Sequence, residues 1–293
     1  MNAQRLRALL ISMRPKQWLK NVLIFTALVF DEKLLNPQAL LVTVIGFLLF
    51  CLVSSSVYLL NDITDLEADR QHPKKSKRPI AAGDLPVSQA RWTVFLLLLI
   101  SIPSAYLLSP SFCLILLVYL VLNLSYSRWL NHIVIIDVFV LASFYVIRVF
   151  AGLTLIEVTR FSPWLYVVTT LLALYIGLGK RRAELTLLSS DARSHRKVLD
   201  GYSIPLLDQY ITIVSATTIV AYSLYTFSAP NLPANHTMML TIPFAIYGIL
   251  RYLYLVQNNQ GGGAPEEELY SDRPLQITII LWGLVVLFIL YLN

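Results

Sequence analysis

Apolar runs of roughly 17 to 25 residues recur along the chain, each long enough to cross a ~30 Å hydrocarbon core as a helix. They lie near residues 17–32, 37–60, 88–108, 110–127, 133–154, 162–179, 205–228, 237–257 and 274–292. In hydrocarbon every backbone N–H and C=O must be satisfied internally, so runs of this length and spacing leave helices as the spanning structure. The predicted fold class is an all-α polytopic membrane protein with nine transmembrane helices, a single catalytic domain over 1–293. With 57% hydrophobic and 14% charged residues and a mean hydropathy of +0.66, a soluble globule with a polar surface is excluded.

The run at 17–32 follows polar and basic residues and lacks a small-residue cleavage site, so it is read as a retained span and not a signal peptide. Residues 1–16 form a lead-in, with a short basic amphipathic helix over 2–12 expected on the membrane surface, although an ordinary helical lead-in fits equally well. Short loops rich in Lys and Arg stay cytoplasmic. Nine spans with a cytoplasmic N-terminus put Arg5, Arg7, Arg14, Lys16 and Lys20 inside, with the six basic residues from Arg70 to Arg91 and the six from Lys180 to Lys197. Only Lys33 and Arg160 then fall outside. The net charge of +6 is therefore a topology signal, and no nucleic-acid role follows from it. Cys51 and Cys113 sit apart within apolar spans and are read as packing residues.

Two loops, 61–86 and 180–204, carry chemistry and both fall on the cytoplasmic side in this topology. The first opens N-D-I-T-D-L-E-A-D at Asn61 to Asp69. At about 100° per residue, Asn61, Asp65 and Asp69 stack on one helix face, and Asp62 falls off it. Like-oriented oxygen ligands repel unless a cation lies between them, and an incomplete hard-oxygen set suits Mg²⁺ that keeps water and substrate phosphates, with Mn²⁺ as the alternative. Lys74, Lys75, Lys77 and Arg78 follow, so the predicted substrate is a diphosphate, and His72 in H-P is expected to shape the turn.

The second loop opens G-K-R-R-A-E-L and continues D-A-R-S-H-R-K, with Lys180, Arg181, Arg182, Arg193, Arg196 and Lys197 among Glu184 and Asp191. Lys180 and Glu184 are four apart, a spacing that permits an ion pair. If both loops face one cavity, the first supplies the metal and the second supplies cations for further phosphates. Asp137 and Arg148, three turns apart on one span, are too distant to pair and need partners on other helices or in the cavity; a cavity role is expected for each. The segment 258–272, rich in Asn, Gly and Glu, reads as a flexible tether.

The pattern N-x-x-x-D-x-x-x-D followed by H-P-x-K-x-x-R-P-I-A-A-G, Asn61 to Gly83, resembles the UbiA superfamily of intramembrane prenyltransferases. R-P-K-Q-W-L-K-N at Arg14 to Asn21, D-V-F-V-L-A-S-F-Y-V-I-R-V-F-A-G at Asp137 to Gly152 and G-K-R-R-A-E-L at Gly179 to Leu185 resemble its decaprenyl-phosphate phosphoribosyltransferase branch. The resemblance implies a nine-helix bundle around a cytoplasm-facing cavity in the cell membrane and a Mg²⁺-bound diphosphate. Ordinary members carry a second aspartate-rich motif after the sixth helix, where this chain has Lys180, Arg181, Arg182 and Glu184.

The resemblance to that branch implies transfer of 5-phosphoribose from phosphoribosyl diphosphate to a polyprenyl phosphate, a step towards cell-wall arabinan, and the departure agrees with it. The alternative is transfer of an isoprenoid from its diphosphate to an aromatic ring or glycerol phosphate. Asn61, Asp65 and Asp69 would be the metal residues, and Lys75, Arg78, Lys180 and Arg181 would neutralise donor phosphates. Lys16 and Lys20 would receive the lipid phosphate, Tyr126 and Arg148 would orient ribose or acceptor, and Glu184 would hold Lys180. Membrane lipids are the surroundings, and a homo-oligomer is compatible with the reading.

Overall fold

The computed structural model describes residues 3–73, 75–158, 162–188, 197–258 and 271–292. Lys74, Arg160, Asp191, Arg193, Arg196 and most of the 258–272 segment lie outside the described residues. The described elements are helical: α1 Ala3–Ser12, α2 Thr26–Phe30, α3 Pro37–Thr64, α4 Leu66–Gln71, α5 Pro79–Ala82, α6 Val87–Leu108, α7 Pro110–Arg128, α8 Ile136–Leu153, α9 Pro163–Leu188, α10 Ile204–Ser228, α11 Ile242–Asn258 and α12 Arg273–Leu292, joined by short 3₁₀ segments. Among these residues, eight helices are long and apolar enough to cross a membrane. The protein is a multi-pass integral membrane protein.

The run expected as the first of nine spans is built differently. Its chain forms a 3₁₀ helix, Pro15–Phe25, that passes directly into α2. Together they extend about 30 Å, at rises of ~2 Å and ~1.5 Å per residue. The segment therefore has a span's length but too few α-helical residues to count as a ninth long helix. Tertiary contacts explain the tight winding. In a 3₁₀ helix residues i and i+3 eclipse one another, so Trp18, Asn21 and Ile24 share one edge. Trp18 Nε1 donates to Ser55 Oγ at 3.0 Å, and Asn21 Nδ2 donates to Ser54 Oγ at 3.3 Å. Ile24 is fully buried and its carbonyl lies so close to Gly152 that a Cβ there would collide with it.

The helix starts are encoded locally. Asn36 accepts the Gln38 and Ala39 N–H groups at 3.0 and 3.1 Å with Pro37 in the first turn, and Ser109 before Pro110 and Ser203 before Pro205 cap α7 and α10 in the same manner. Such caps satisfy N–H groups that a helix start leaves open, and proline loses nothing there.

The chain forms two compact units. One comprises Met1–Leu28, Lys33–Trp129 and Ile147–Glu157. In it α3 packs against α6, α7 and the 3₁₀ segment, while α1 and α4 pack on α5. The other comprises Val29–Glu32, Leu130–Val146 and Val158–Asn293. There α9 packs along α10, and α11 on α12, around a core that includes Val138, Leu174, Tyr175, Leu207, Ile211 and Tyr252.

Candidate functional site

In the first unit the N-D-I-T-D-L-E-A-D segment is not one continuous helix. α3 ends at Thr64, Asp65 adopts φ −89° and ψ 7°, and α4 begins at Leu66. The backbone ladder nevertheless crosses the break: Asp65 N–H donates to Asn61 C=O at 2.9 Å and Asp69 N–H to Asp65 C=O at 2.8 Å. Asn61, Asp65 and Asp69 thus remain stacked at one-turn intervals, as the spacing predicts.

Their environments differ sharply. Asp65 is exposed, and its side chain makes no hydrogen bond or ion pair among the described residues. Partial burial and the neighbouring Asp69 charge push its carboxyl above the usual carboxylate range, with Lys75, Arg78 and Arg14 opposing them. Asn61 Oδ1 accepts the Ser127 hydroxyl of α7 at 3.0 Å. Asp69 is buried and receives Arg78 NH1 at 2.6 Å, with Lys75 Nζ 4.0 Å from its other oxygen. His72 Nδ1 accepts the Lys75 N–H at 3.3 Å, shaping the turn as expected.

Asp62, set aside by the face argument, is the hub of this cluster. Its carboxylate, 2% exposed, accepts Arg14 NH2 at 2.6 Å and Arg78 NH1 at 3.0 Å. Arg78 is therefore shared between Asp62 and Asp69, while Arg14 also lies 4.9 Å over the Tyr58 ring. Arg14 and Asp62 are members of this cluster that sequence reasoning missed. Asp62 and Asp69 stand seven apart, only about 20° short of two helical turns, and that spacing was the available signal.

A hard divalent cation fits what the segment offers. The Asp65 carboxyl, pushed up by partial burial and by a like charge one turn away, lies one turn from an amide oxygen with a second lone pair. Asn61 and Asp65 are the residues that could hold it, and Asp69 already orients Arg78. Among the described residues no group of three or more acidic, His or Cys side chains converges on one point.

Elsewhere in this unit, Lys16 is exposed and Lys20 half-buried on the 3₁₀ segment, and Tyr126 is half-buried on α7 beside Ser127. Arg148 is 4% exposed; its Nε donates to Asn21 Oδ1 at 2.8 Å and its NH2 to the Tyr119 hydroxyl at 3.4 Å. Its guanidinium lies 5.5 and 5.3 Å from the Phe50 and Tyr119 ring centres. The expected cavity role for Arg148 gives way to an interhelical one, since its donors and faces are taken up by α3, α7 and the 3₁₀ segment.

In the second unit the G-K-R-R-A-E-L residues extend α9. Arg181 has no exposed surface; its Nε donates to Asp137 Oδ2 at 2.5 Å and its NH1 to Glu184. Glu184 therefore pairs with Arg181, three residues away, where an ion pair with Lys180 was expected. The Asp137 expectation is corrected similarly: it is completely buried between Arg181 and the Tyr202 hydroxyl, which donates at 2.7 Å. Arg182 ties α9 to α10 through Asp208 at 2.6 Å and to the Val256 carbonyl of α11 at 2.8 Å. Lys180 is half-buried and makes no hydrogen bond or ion pair among the described residues. Of the three consecutive cations, Arg181 and Arg182 are engaged in ion pairs within the unit, and Lys180 is not.

The UbiA prenyltransferase family model matches residues 22–267. The chain belongs to this family. A decaprenyl-phosphate phosphoribosyltransferase of Mycobacterium tuberculosis strain H37Rv is 34% identical over 276 residues, covering 92% of this chain and 90% of the relative. The enzyme so named in Corynebacterium glutamicum is 33% identical over 288 residues, covering 96% and 86%. The structure of a UbiA homologue from Archaeoglobus fulgidus bound to DMAPP and Mg²⁺ superposes with a TM-score of 0.73 at 19% identity, covering 97% of this chain and 99% of that one. At that identity the likeness is one of fold, and it gives this all-α chain the UbiA architecture.

Proposed function

We propose that the protein transfers 5-phosphoribose from phosphoribosyl diphosphate to a polyprenyl phosphate of the decaprenyl type, releasing diphosphate, at the cytoplasmic face of the cell membrane. The observation that carries this reading is the likeness, over nine-tenths of the chain, to relatives named for that reaction on decaprenyl phosphate. The cationic end of α9 supports it: Lys180 stands where prenyl-transferring members of the superfamily carry a second acidic motif, and phosphoribosyl diphosphate brings a phosphate beyond its diphosphate.

Asn61 and Asp65 would hold Mg²⁺, which would supply charge neutralisation for the departing diphosphate. Arg78 and Lys75 donate hydrogen bonds to the same phosphates, with Asp62 and Asp69 fixing the Arg78 fork. Lys180 supplies a compact charge for the donor's remaining phosphate. Lys16 and Lys20 receive the phosphate of the lipid acceptor. An oxygen of that phosphate forms the new bond to ribose C1 as the C1–O bond to diphosphate breaks, and the electron pair leaves with diphosphate. The attacking oxygen is already anionic near neutral pH, so no side chain need remove a proton, and the in-line geometry inverts the anomeric centre.

Incubating the purified protein with labelled phosphoribosyl diphosphate and decaprenyl phosphate tests the reading. Label should pass into the organic phase with Mg²⁺ and not with a chelator. Consumption of a labelled prenyl diphosphate, with no phosphoribose transferred, would assign the protein to prenyl transfer instead.

A further inference from the structure

Two stretches of the second unit, the end of α9 and the residues leading into α10, are tied to a single carboxylate. From α9, Arg181 Nε reaches Asp137 Oδ2 at 2.5 Å, and Arg181 NH1 holds Glu184 on the same helix. Ahead of α10, the 3₁₀ helix Lys197–Gly201 buries Val198 and Leu199 and delivers Tyr202. The Tyr202 hydroxyl donates to Asp137 Oδ1 at 2.7 Å and accepts the Ile135 N–H at 2.6 Å. Gly201 permits the approach, because a Cβ there would collide with the Val134 side chain.

Ile135 has φ +70°, a left-handed conformation that a β-branched residue adopts only under constraint. Strain of this kind persists where the surroundings over-determine it and tends to accompany functional sites. Here the constraint is visible: the strained N–H is held by Tyr202, which is itself held by Asp137. Both Asp137 oxygens are engaged, one by each stretch. Neutralising Arg181 would need only a carboxylate; it would not need a phenol hydroxyl anchored on a strained backbone.

Lys180, adjacent to Arg181, makes no hydrogen bond or ion pair among the described residues. We infer that Asp137 and Tyr202 are positioning residues for phosphoribosyl transfer: they clamp the end of α9 so that Lys180 meets the donor's phosphate in one fixed place. The inference rests on the proposed reaction for its substrate and on the Asp137–Tyr202–Arg181 geometry for its mechanism.

Tyr202→Phe in the full-length protein removes one oxygen and keeps the buried ring, whereas Asp137→Asn would also take from the buried Arg181 one of its two carboxylate partners. In Tyr202→Phe, amide hydrogen exchange should quicken at residues 180–185 as well as at 197–202. The Michaelis constant for phosphoribosyl diphosphate should rise about five- to tenfold, the size of one ordinary hydrogen bond because the clamp acts on Lys180 only indirectly, with kcat and the acceptor's constant nearly unchanged. Combined with Lys180→Ala, Tyr202→Phe should raise the donor constant no further than Lys180→Ala alone. Faster exchange confined to 197–202 overturns the clamp, and so does a donor constant in which the two effects multiply as independent sites would. A native protein that transfers no phosphoribose refutes the proposed reaction, and the exchange pattern then decides the clamp by itself.

Discussion

Replacing Asp62 with Asn should lower the thermal unfolding midpoint of the detergent-solubilised protein by about 4–12 °C, from roughly 2–4 °C per kcal/mol for a chain of this size class. The carboxylate accepts one bond from Arg14 at 2.6 Å and one from Arg78 at 3.0 Å while only 2% exposed. Hydrogen bonds to charged groups are worth about 1.5–3 kcal/mol each. Two considerations reduce the sum. Arg14 and Arg78 are 30% and 27% exposed, so water can take over part of their solvation. Neutralising Asp62 also removes the cost of burying its charge. The expected net loss is about 2–3 kcal/mol. Scanning fluorimetry of the two proteins side by side measures it. Adding 1 M salt to the native protein should reproduce less than half of the drop, because the Debye length of ~3 Å screens exposed charges far more than a buried carboxylate. A midpoint within about 1 °C of native would refute the view that Asp62 organises this end of the unit.

Asp65→Asn should have the opposite signature. Its raised carboxyl means that ionising Asp65 costs the folded state stability, a contribution present at low pH and lost as pH rises through the folded value. At neutral pH and without metal, the variant should therefore melt no lower than native, whereas Mg²⁺ should raise the midpoint of the native protein and not that of the variant, which should lack turnover; full activity would remove Asp65 from the proposed metal site. In the native protein, Mg²⁺ affinity followed by calorimetry should fall on acidification at a pH above the ordinary carboxylate range, with proton release on binding; a pH-independent affinity would contradict the role. Lys180→Ala should raise the Michaelis constant for phosphoribosyl diphosphate about tenfold, the loss of one charge-assisted contact, and an unchanged constant would show that the lysine does not meet the donor.

The parts of the fold that were legible obey local rules. Bilayer thickness sets run length, Asn36, Ser109 and Ser203 announce helix starts, and the stacking of Asn61, Asp65 and Asp69 follows from helical geometry carried across the break at Asp65. The 3₁₀ winding of Pro15–Phe25 was not legible, because a run of such residues fits an α-helix equally well until Trp18 and Asn21 find the serines of α3. Nor was the fate of Arg181: three consecutive cations look alike in sequence, and burial distinguishes them.

By itself, then, the sequence determined that this is an all-helical membrane protein with a segment of stacked acidic residues and following cations after one span and a cationic one after another, because hydropathy and spacing act over a few turns of chain. Only the tertiary structure decided which charges are paired. Asp62 meets Arg14 across 48 residues and Asp137 meets Arg181 across 44, and these choices leave Asp65 and Lys180 without partners among the described residues. A buried charge must find its counterpart wherever packing brings one, whereas a charge in contact with water is solvated and can stand without an internal partner.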